Sequence, residues 1–201
     1  MSRIIRLHQC ISGFTQRENR IHGVFKLCEA LHEAGHNNHV SRVSLRPWND
    51  DWAAAAENAW LLGEHHNAEI QVQIYAYSWG GGWGAPEFCR QLLDRGVNVR
   101  RVILSDPVYR HPNPILRWTS MIQRNSRLAP VIRFPRNVDQ IHSFHQTRNT
   151  PQGHRVEGDK DFTGHIVPSV RCDMVHQYMD DAKRFHKLCL DQAELWRVAT
   201  S

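Results

Sequence analysis

The sequence predicts an α/β fold in three layers, with a mostly parallel central sheet and helices on both of its faces. Short apolar runs typical of strands alternate along the chain with longer segments whose apolar residues recur at helical spacing. Glycine or proline follows many of these segments, where an element is expected to end. This alternation favours parallel strands, because each helix returns the chain to the same edge of the sheet.

The first half of the chain contains three predicted strands and two predicted helices. The strands are expected over residues 3–12, 40–45 and 70–77, and the helices over 19–32 and 52–62. Gly35 and Gly63 follow the two helices and are expected to end them. Gln71 and Gln73 are at odds with the third strand, since central parallel strands are normally apolar throughout.

The second half continues the alternation and then becomes more polar. A helix is expected from Pro86 to Gly96, because proline is favoured in the first turn of a helix. Predicted strands over 101–104 and 143–147, a polar loop over 148–161 and a helix over 179–198 complete the chain.

Composition limits the class of protein. A chain of 201 residues is long enough for one sizeable core, so a single domain spanning 1–201 is expected. No apolar run approaches the roughly 20 residues that cross a bilayer, and Arg6 and His8 interrupt the first apolar run, so a cytoplasmic protein is expected. The five cysteines form no Cys-x-x-Cys pair. The net charge of +5 comes without a nucleic-acid-binding motif, so no nucleic-acid partner is expected.

Ser78 lies where the third predicted strand runs into a series of glycines. Ala76 precedes it by two residues and Gly80 follows it by two. A serine lifted out of a sheet on a sharp strand-to-helix turn needs small neighbours at these positions, because larger side chains would collide where strand and helix cross. The pattern is typical of the nucleophile elbow of serine hydrolases.

An acid and a base follow Ser78 at suitable places in the chain. Asp106 comes directly after the strand that follows Ser78, at the edge of the sheet where active-site loops meet. His176 lies just before the last predicted helix, and His165 is the rival candidate for the base. The order Ser78, Asp106, His176 is the order of one known triad lineage.

With these residues in place, the chain resembles the α/β-hydrolase family, and more narrowly its small lipase-, esterase- and thioesterase-like members. The resemblance rests on Gly13-Phe14, Ala-Tyr-Ser78-Trp-Gly, Ser-Asp106-Pro and Val-His176-Gln-Tyr-Met-Asp. The chain departs from the family in having Ala76 where glycine is usual, and in leaving little room for a cap domain.

The resemblance implies a serine hydrolase of carboxylic esters or thioesters that needs no cofactor. Ser78 would attack the acyl carbonyl, His176 would carry the proton, and Asp106 would orient the imidazole. The backbone N–H groups of Trp79 and Phe14 are expected to form the oxyanion hole. The residues expected to bind substrate are Gly13, Tyr109 and Trp118.

Two motifs point to other chemistry. His32, Glu33 and His36 satisfy the His-Glu-x-x-His pattern of zinc metallopeptidases, in which the two histidines share one helix face. Gly35, Asn37 and Asn38 indicate that the helix ends there. The spacing Gly80-x-Gly82-x-x-Ala85 after a strand imitates a dinucleotide-binding turn, but bulky Trp83 lies within it.

Residues 107–138 form a basic segment that is expected to be a short lid-like insertion. No acidic residue falls within it, whereas it contains six arginines between Arg110 and Arg136. Such a segment favours anionic acyl substrates or an anionic lipid surface, or it is a solvated helix whose apolar side covers the core. A binding or assembly protein without turnover is the alternative to an enzyme, and the oligomeric state is open.

Overall fold

A parallel β-sheet forms the centre of the computed structural model, which describes residues 3–16 and 21–199. The strands are β1 (Arg3–Ile11), β2 (Ser41–Arg46), β3 (Ala68–Tyr77), β4 (Asn98–Ser105), β5 (Val131–Phe134), β6 (Gln140–Gln146), β7 (Arg155–Gly158), β8 (His165–Ile166) and β9 (Val170–Cys172). Seven of these described strands form the main sheet in the order β2-β1-β3-β4-β6-β8, with β9 also paired to β6. All of these pairings are parallel.

Helices cover both faces of the sheet. They are α1 (Gly23–Glu33), α2 (Trp52–His66), α3 (Ala85–Leu93) and α4 (Lys183–Ala199), with a π-helical turn at Gly80–Gly84 and 3₁₀-helices at Pro114–Met121 and His176–Asp181. Trp52 of α2 and Phe88 of α3 are buried in one apolar cluster, and Leu27 of α1 and Phe185 of α4 are buried in the other. The predicted three-layer α/β fold is thereby confirmed.

Helix α2 is longer than the sequence predicted. It continues past Gly63 to His66 and ends at Asn67, which takes a left-handed φ of 48°. Gly63 serves close packing instead, because a Cβ there would approach the carbonyl oxygen of Ala68 and a side-chain carbon of Ile70 to 2.9 Å each. Helix α1 begins at Gly23, and residues 19 and 20 of its predicted range lie outside the described residues.

The predicted polar loop over 148–161 contains a strand that the sequence did not reveal. Strand β7 pairs in parallel with β5 in a separate two-stranded sheet. Ile132 and Phe134 of β5 are buried in the same apolar cluster as α2 and α3. This half of the basic segment therefore belongs to the body of the domain.

The glutamines of β3 are accommodated by a polar network under α4. Gln73 is buried, and its side-chain oxygen accepts a hydrogen bond from the Tyr75 hydroxyl at 2.7 Å. The Tyr75 oxygen lies 3.0 Å from Nδ1 of His8, which is itself buried. Because the Tyr75 proton is given to Gln73, His8 donates through Nδ1 and its Nε2 carries no proton. Gln71 accepts a hydrogen bond from the Trp196 indole at 3.2 Å.

None of the helices in the described ranges combines the length and the apolar character that crossing a membrane requires.

The buried histidine predicts how stability depends on pH. Burial, together with the nearby His36 and Arg6, lowers the pKa of His8 to about 3 from 6.5. Between about pH 6.5 and pH 3, His8 is therefore protonated in the unfolded chain but neutral in the folded chain. The unfolding free energy consequently falls as the pH drops through this range. We expect His8→Gln to reduce the slope of unfolding free energy against pH, between about pH 6 and pH 4, by about 1.4 kcal/mol per pH unit.

Urea unfolding across that pH range measures this slope. The matched control is His39→Gln, at an exposed histidine, which should leave the slope unchanged. An identical slope in wild type and His8→Gln would contradict the assignment of His8 as a neutral buried group.

Candidate active site

The candidate site lies at the carboxyl edge of the sheet, between the loops that follow β1 and β3. From β1 the chain moves to β2 on one side, and β3 then pairs on the other side of β1. This is a topological switch point, where the loops of two adjacent parallel strands diverge and leave a crevice. Ile11 pairs with Ala76 at the ends of these strands, so Gly13 and Ser78 lie next to each other.

Ser78 occupies a sharp turn in a strained backbone conformation. Its φ of 52° is in the left-handed region, which non-glycine residues seldom adopt. The Ser78 carbonyl accepts hydrogen bonds from the N–H groups of Gly81, Gly82 and Val108 at 2.9 to 3.1 Å, and the Ser78 N–H donates to Ser105 at 3.2 Å. These bonds fix the turn, so the surrounding structure holds the strain in place.

The glycines after Ser78 are required by close packing and leave no room for a bound dinucleotide. A Cβ at Gly80 would lie 2.6 Å from the Ser12 carbonyl oxygen, and a Cβ at Gly82 would overlap the Val108 carbonyl. The four glycines of the π-helical turn are buried, and Trp83 is its one residue that is not. The turn packs against the ends of β1 and β4, and this accounts for the resemblance to a dinucleotide-binding pattern.

Asp106 follows β4 and also has a left-handed φ, of 42°. Its side chain is fully buried. Oδ1 accepts hydrogen bonds from the N–H groups of Gly153 at 2.9 Å and Gln146 at 3.2 Å, and Oδ2 accepts one from the Gln146 side-chain amide at 3.1 Å. A buried carboxylate needs such donors, because desolvation without hydrogen bonds costs several kcal/mol.

His176 joins the serine to the carboxylate. Its Nδ1 lies 2.6 Å from Oδ2 of Asp106, and its Nε2 lies 3.0 Å from Oγ of Ser78. An ionised carboxylate can only accept, so Nδ1 carries the proton and Nε2 is free to accept from the serine hydroxyl. Tyr77 stacks on the imidazole with ring centres 5.1 Å apart, and its hydroxyl donates to the His176 carbonyl at 2.8 Å.

The rival base, His165, lies at the other end of the sheet. It begins β8 and pairs with Gln140, the first residue of β6, whereas Ser78 and Asp106 follow the carboxyl ends of their strands. His165 is also exposed. Of the two candidate histidines, the structure brings His176 to the serine.

The His-Glu-x-x-His pattern does not form a metal site in the described residues. Helix α1 ends at Glu33, and Gly35 turns the chain away with a φ of 81°. His36 is therefore off the helix and buried against His8, with ring centres 5.2 Å apart, while His32 is exposed. No group of three His, Cys, Asp or Glu side chains in ranges 3–16 and 21–199 is placed to hold a metal ion.

A cavity of about 380 Å³ opens beside Ser78. Its lining residues are Phe14, Thr15, Gln16, Tyr77, Ser78, Trp79, Ser120, Met121, Pro151, His176 and Gln177. Ser120 and Met121 belong to the basic segment, so this half of the segment does border the site. None of the three predicted substrate-binding residues lines this cavity. Gly13 packs against Tyr77 and Ser78 behind it, Tyr109 lines a separate depression of about 300 Å³, and Trp118 is exposed to solvent.

The predicted oxyanion donors flank this cavity. Trp79 is the first residue after Ser78, at the start of a helical run. An N–H at this position has no carbonyl acceptor within the helix. The Phe14 side chain is exposed and packs on Trp79 with ring centres 4.1 Å apart. The neighbouring Gly13 N–H donates to the Gln16 side chain at 2.9 Å.

A cationic aromatic cluster borders the other side of Trp79. The Arg110 guanidinium lies over the rings of Trp48, Trp79 and Trp83, at 4.6, 5.7 and 5.1 Å from their centres. The pKa of Arg110 is lowered, mainly because the guanidinium is partly buried. These contacts join the loops that follow β2, β3 and β4 at one edge of the sheet.

Sequence reasoning missed the residues that hold the acid and the base in place. The Gln146 side-chain nitrogen shares its two N–H groups among three acceptors: the carbonyls of Asn149 and Pro151, at 2.9 Å each, and Asp106 Oδ2, at 3.1 Å. Asn149 in turn accepts from the His176 N–H at 2.7 Å. Gln146 ends the strand next to β4, and that position at the carboxyl edge was the signal available in the sequence.

A second buried carboxylate ties the loop after β1 to the His176 segment. Asp180 is buried and accepts hydrogen bonds from the Gln16 side chain and, at 2.7 Å, from the Gly23 N–H. Gln16 thus contacts the Gly13 N–H with its oxygen and Asp180 with its nitrogen. The loops that carry Phe14 and His176 are held in one network.

Comparison with solved structures supports the fold. The chain is similar to RedJ, a thioesterase from the prodiginine biosynthetic pathway in Streptomyces coelicolor, with a TM-score of 0.51 and 11% identity over 96% of this chain and 85% of that chain. It has a weaker similarity to ClbQ from the colibactin NRPS/PKS pathway, with a TM-score of 0.41 and 12% identity over 95% of this chain and 99% of that one. No protein-family model and no curated protein sequence matches the chain. The predicted resemblance to α/β-hydrolases is confirmed at the level of the fold.

The packing of the turn after Ser78 predicts a destabilising substitution. We expect Gly82→Ala to lower the unfolding free energy by about 2 kcal/mol or more, because the added methyl overlaps the Val108 backbone carbonyl. Gly81→Ala is the matched control. There the methyl meets mainly side-chain carbons of Pro107 and Leu104, which can shift, so the loss should be smaller. Chemical denaturation of both variants measures the difference, and equal losses would contradict the packing argument.

Proposed function

We propose that the chain is a serine hydrolase that cleaves thioesters or carboxylic esters through a covalent acyl-serine intermediate. The observation that carries the proposal is the continuous hydrogen-bonded path from Ser78 Oγ through His176 to buried Asp106, beside an open cavity. The fold similarity to a thioesterase makes acyl thioesters the first substrate class to test.

In the first half of the reaction, Ser78 Oγ forms a bond to the acyl carbonyl carbon while its proton passes to Nε2 of His176. Asp106 stabilises the imidazolium and holds its Nδ1 proton in place. The tetrahedral intermediate then collapses, the bond to the thiol or alcohol breaks, and His176 returns the proton to that leaving group. A positioned base of this kind contributes on the order of 10² to 10⁴ in rate.

In the second half, a water molecule attacks the acyl-serine. His176 now takes a proton from the water and passes it to Ser78 Oγ as the bond between Oγ and the acyl carbon breaks and the carboxylic acid leaves. The developing negative charge on the carbonyl oxygen would be met by the N–H groups of Trp79 and Phe14. Loss of one such donor costs about 3 to 4 kcal/mol of transition-state stabilisation.

The remaining sequence predictions fit this proposal in part. The half of the 107–138 segment that contains Ser120 and Met121 would form one wall of the acyl site, while the half that contains β5 belongs to the core. A single domain and a cytoplasmic location stay predictions, as does a substrate role for Gly13. Substrate roles for Tyr109 and Trp118 likewise stay predictions, and neither residue lines the cavity beside Ser78.

A fluorophosphonate probe tests the nucleophile. We expect it to label the folded protein at Ser78, and we expect Ser78→Ala to abolish labelling and lower kcat/KM for acyl thioesters by at least about 10³-fold. Ser120→Ala is the matched control, since this serine lines the same cavity but donates to the Arg117 carbonyl. Folded protein that neither reacts with the probe nor hydrolyses any ester or thioester would favour the alternative, a binding protein without turnover.

The network around Asp106 predicts a loss of turnover without a change in the reacting groups. Gln146→Glu replaces an amide that donates to Asp106 with a carboxylate that repels it, so we expect kcat to fall by about ten-fold or more while KM changes little. Gln152→Glu is the control, because it makes the same charge change elsewhere in the loop. Among the described residues, the Gln152 side chain makes one hydrogen bond, to the Thr147 carbonyl at 3.5 Å. Equal effects of the two substitutions on kcat would contradict a positioning role for Gln146.

A further inference from the structure

An exposed apolar ridge lies on the 3₁₀-helix Pro114–Met121. Ile115, Trp118 and Met121 are three residues apart, and side chains at this spacing eclipse one another in a 3₁₀-helix. Their exposed fractions are 82%, 61% and 53%. Single exposed apolar residues are ordinary in folded proteins. Three large ones in line on one short helix form an apolar patch, and such patches mark surfaces that bind a protein or a membrane.

The ridge leads into the candidate active site. Met121 at its end lines the cavity that contains Ser78. Phe14, on the loop after β1, lines the same cavity and is 57% exposed. The mouth of the cavity and the ridge therefore share one side of the molecule.

Two arginines, one in the ridge helix and one in the segment that follows it, have no carboxylate partner among the described residues. Arg117 lies between Ile115 and Trp118 in the helix, and Arg127 follows in the same segment; both are exposed. Within the part of the chain that the structure describes, neither lies within 4.0 Å of a carboxylate, whereas Arg133 and Arg136 are paired with Glu157 and Asp161. The segment itself contains no acidic residue over 107–138.

We propose that this surface, made of the ridge and of Arg117 and Arg127, binds peripherally to membranes that contain anionic phospholipids. The apolar side chains enter the interface, where tryptophan is favoured, and the guanidinium groups bind lipid phosphates, whose geometry matches theirs. An aligned row of largely exposed side chains suits a fluid interface, which needs no shape-matched pocket on the partner. Binding would direct the cavity mouth towards the lipid surface.

Co-sedimentation with vesicles tests the proposal. The two probes are vesicles of phosphatidylcholine alone and vesicles of equal parts phosphatidylcholine and phosphatidylglycerol. We expect binding to the second and little to the first, weakened by high salt. Arg117→Gln and Arg127→Gln should each weaken the partition coefficient about five-fold. Trp118→Ser should weaken it about ten-fold or more, because its buried apolar area is lost.

Matched controls make the same chemical changes elsewhere. Arg42→Gln removes an exposed arginine on β2, and Leu195→Ser removes an apolar side chain that is 61% exposed on α4. Both should leave binding unchanged. Ser78→Ala should also bind as wild type, so the membrane proposal can fail or hold independently of the proposed hydrolase activity.

Three results would overturn the proposal. One is the absence of sedimentation with anionic vesicles. Another is binding that the control substitutions weaken as much as the ridge substitutions do, which would indicate attraction by the overall net charge. A third is retention on immobilised polyglutamate that depends on Trp118, Arg117 and Arg127, without vesicle binding; that result would assign the surface to an acidic protein.

Discussion

The buried carboxylate of Asp106 is the constraint around which the candidate active site is arranged. An ionised group without solvent access must find hydrogen-bond donors in the protein. Asp106 finds them in two backbone N–H groups, one amide side chain and the His176 imidazole. The loop from Gln146 to Gly153 has to close over the carboxylate to supply most of these donors. The path of that loop is therefore set by the desolvation of one charge.

The same requirement links segments that are distant in sequence. Gln146 connects the end of β6 to Asp106, and Asn149 connects the loop to the His176 backbone. On the far side of the crevice, Gln16 connects the loop after β1 to Asp180. Each link is a neutral amide, and two of the three contact a buried carboxylate, so the site is held by hydrogen bonds between groups of fixed geometry and does not rely on exposed ion pairs. Exposed pairs such as Arg148 with Asp173 contribute little by comparison.

The sequence predicted the features that follow from periodicity and chain order. The alternation of strands and helices, the sharp turn at Ser78 and the order of serine, acid and histidine were all accessible, because each is encoded by neighbouring residues. The pairing of β5 with β7 was not, since two four-residue strands far apart in sequence carry no local signal. The role of Gln146 could not be predicted either, because it depends on the Asp106 carboxylate, which only the folded chain brings next to the amide. The end of α2 was predicted wrongly at Gly63, because in a sequence a glycine required for close packing cannot be told from a glycine that ends a helix.

The stacking of Tyr77 on His176 limits how far the imidazole can move. The imidazole is held at Nδ1 by Asp106 and along its face by the Tyr77 ring. The Tyr77 hydroxyl also holds the backbone carbonyl of His176. Such a ring has almost no rotational freedom left to lose when a ligand arrives. The entropy of orienting it is lost once, when the chain folds, so in the proposed hydrolase each proton transfer would proceed without reorganisation of the surrounding dipoles.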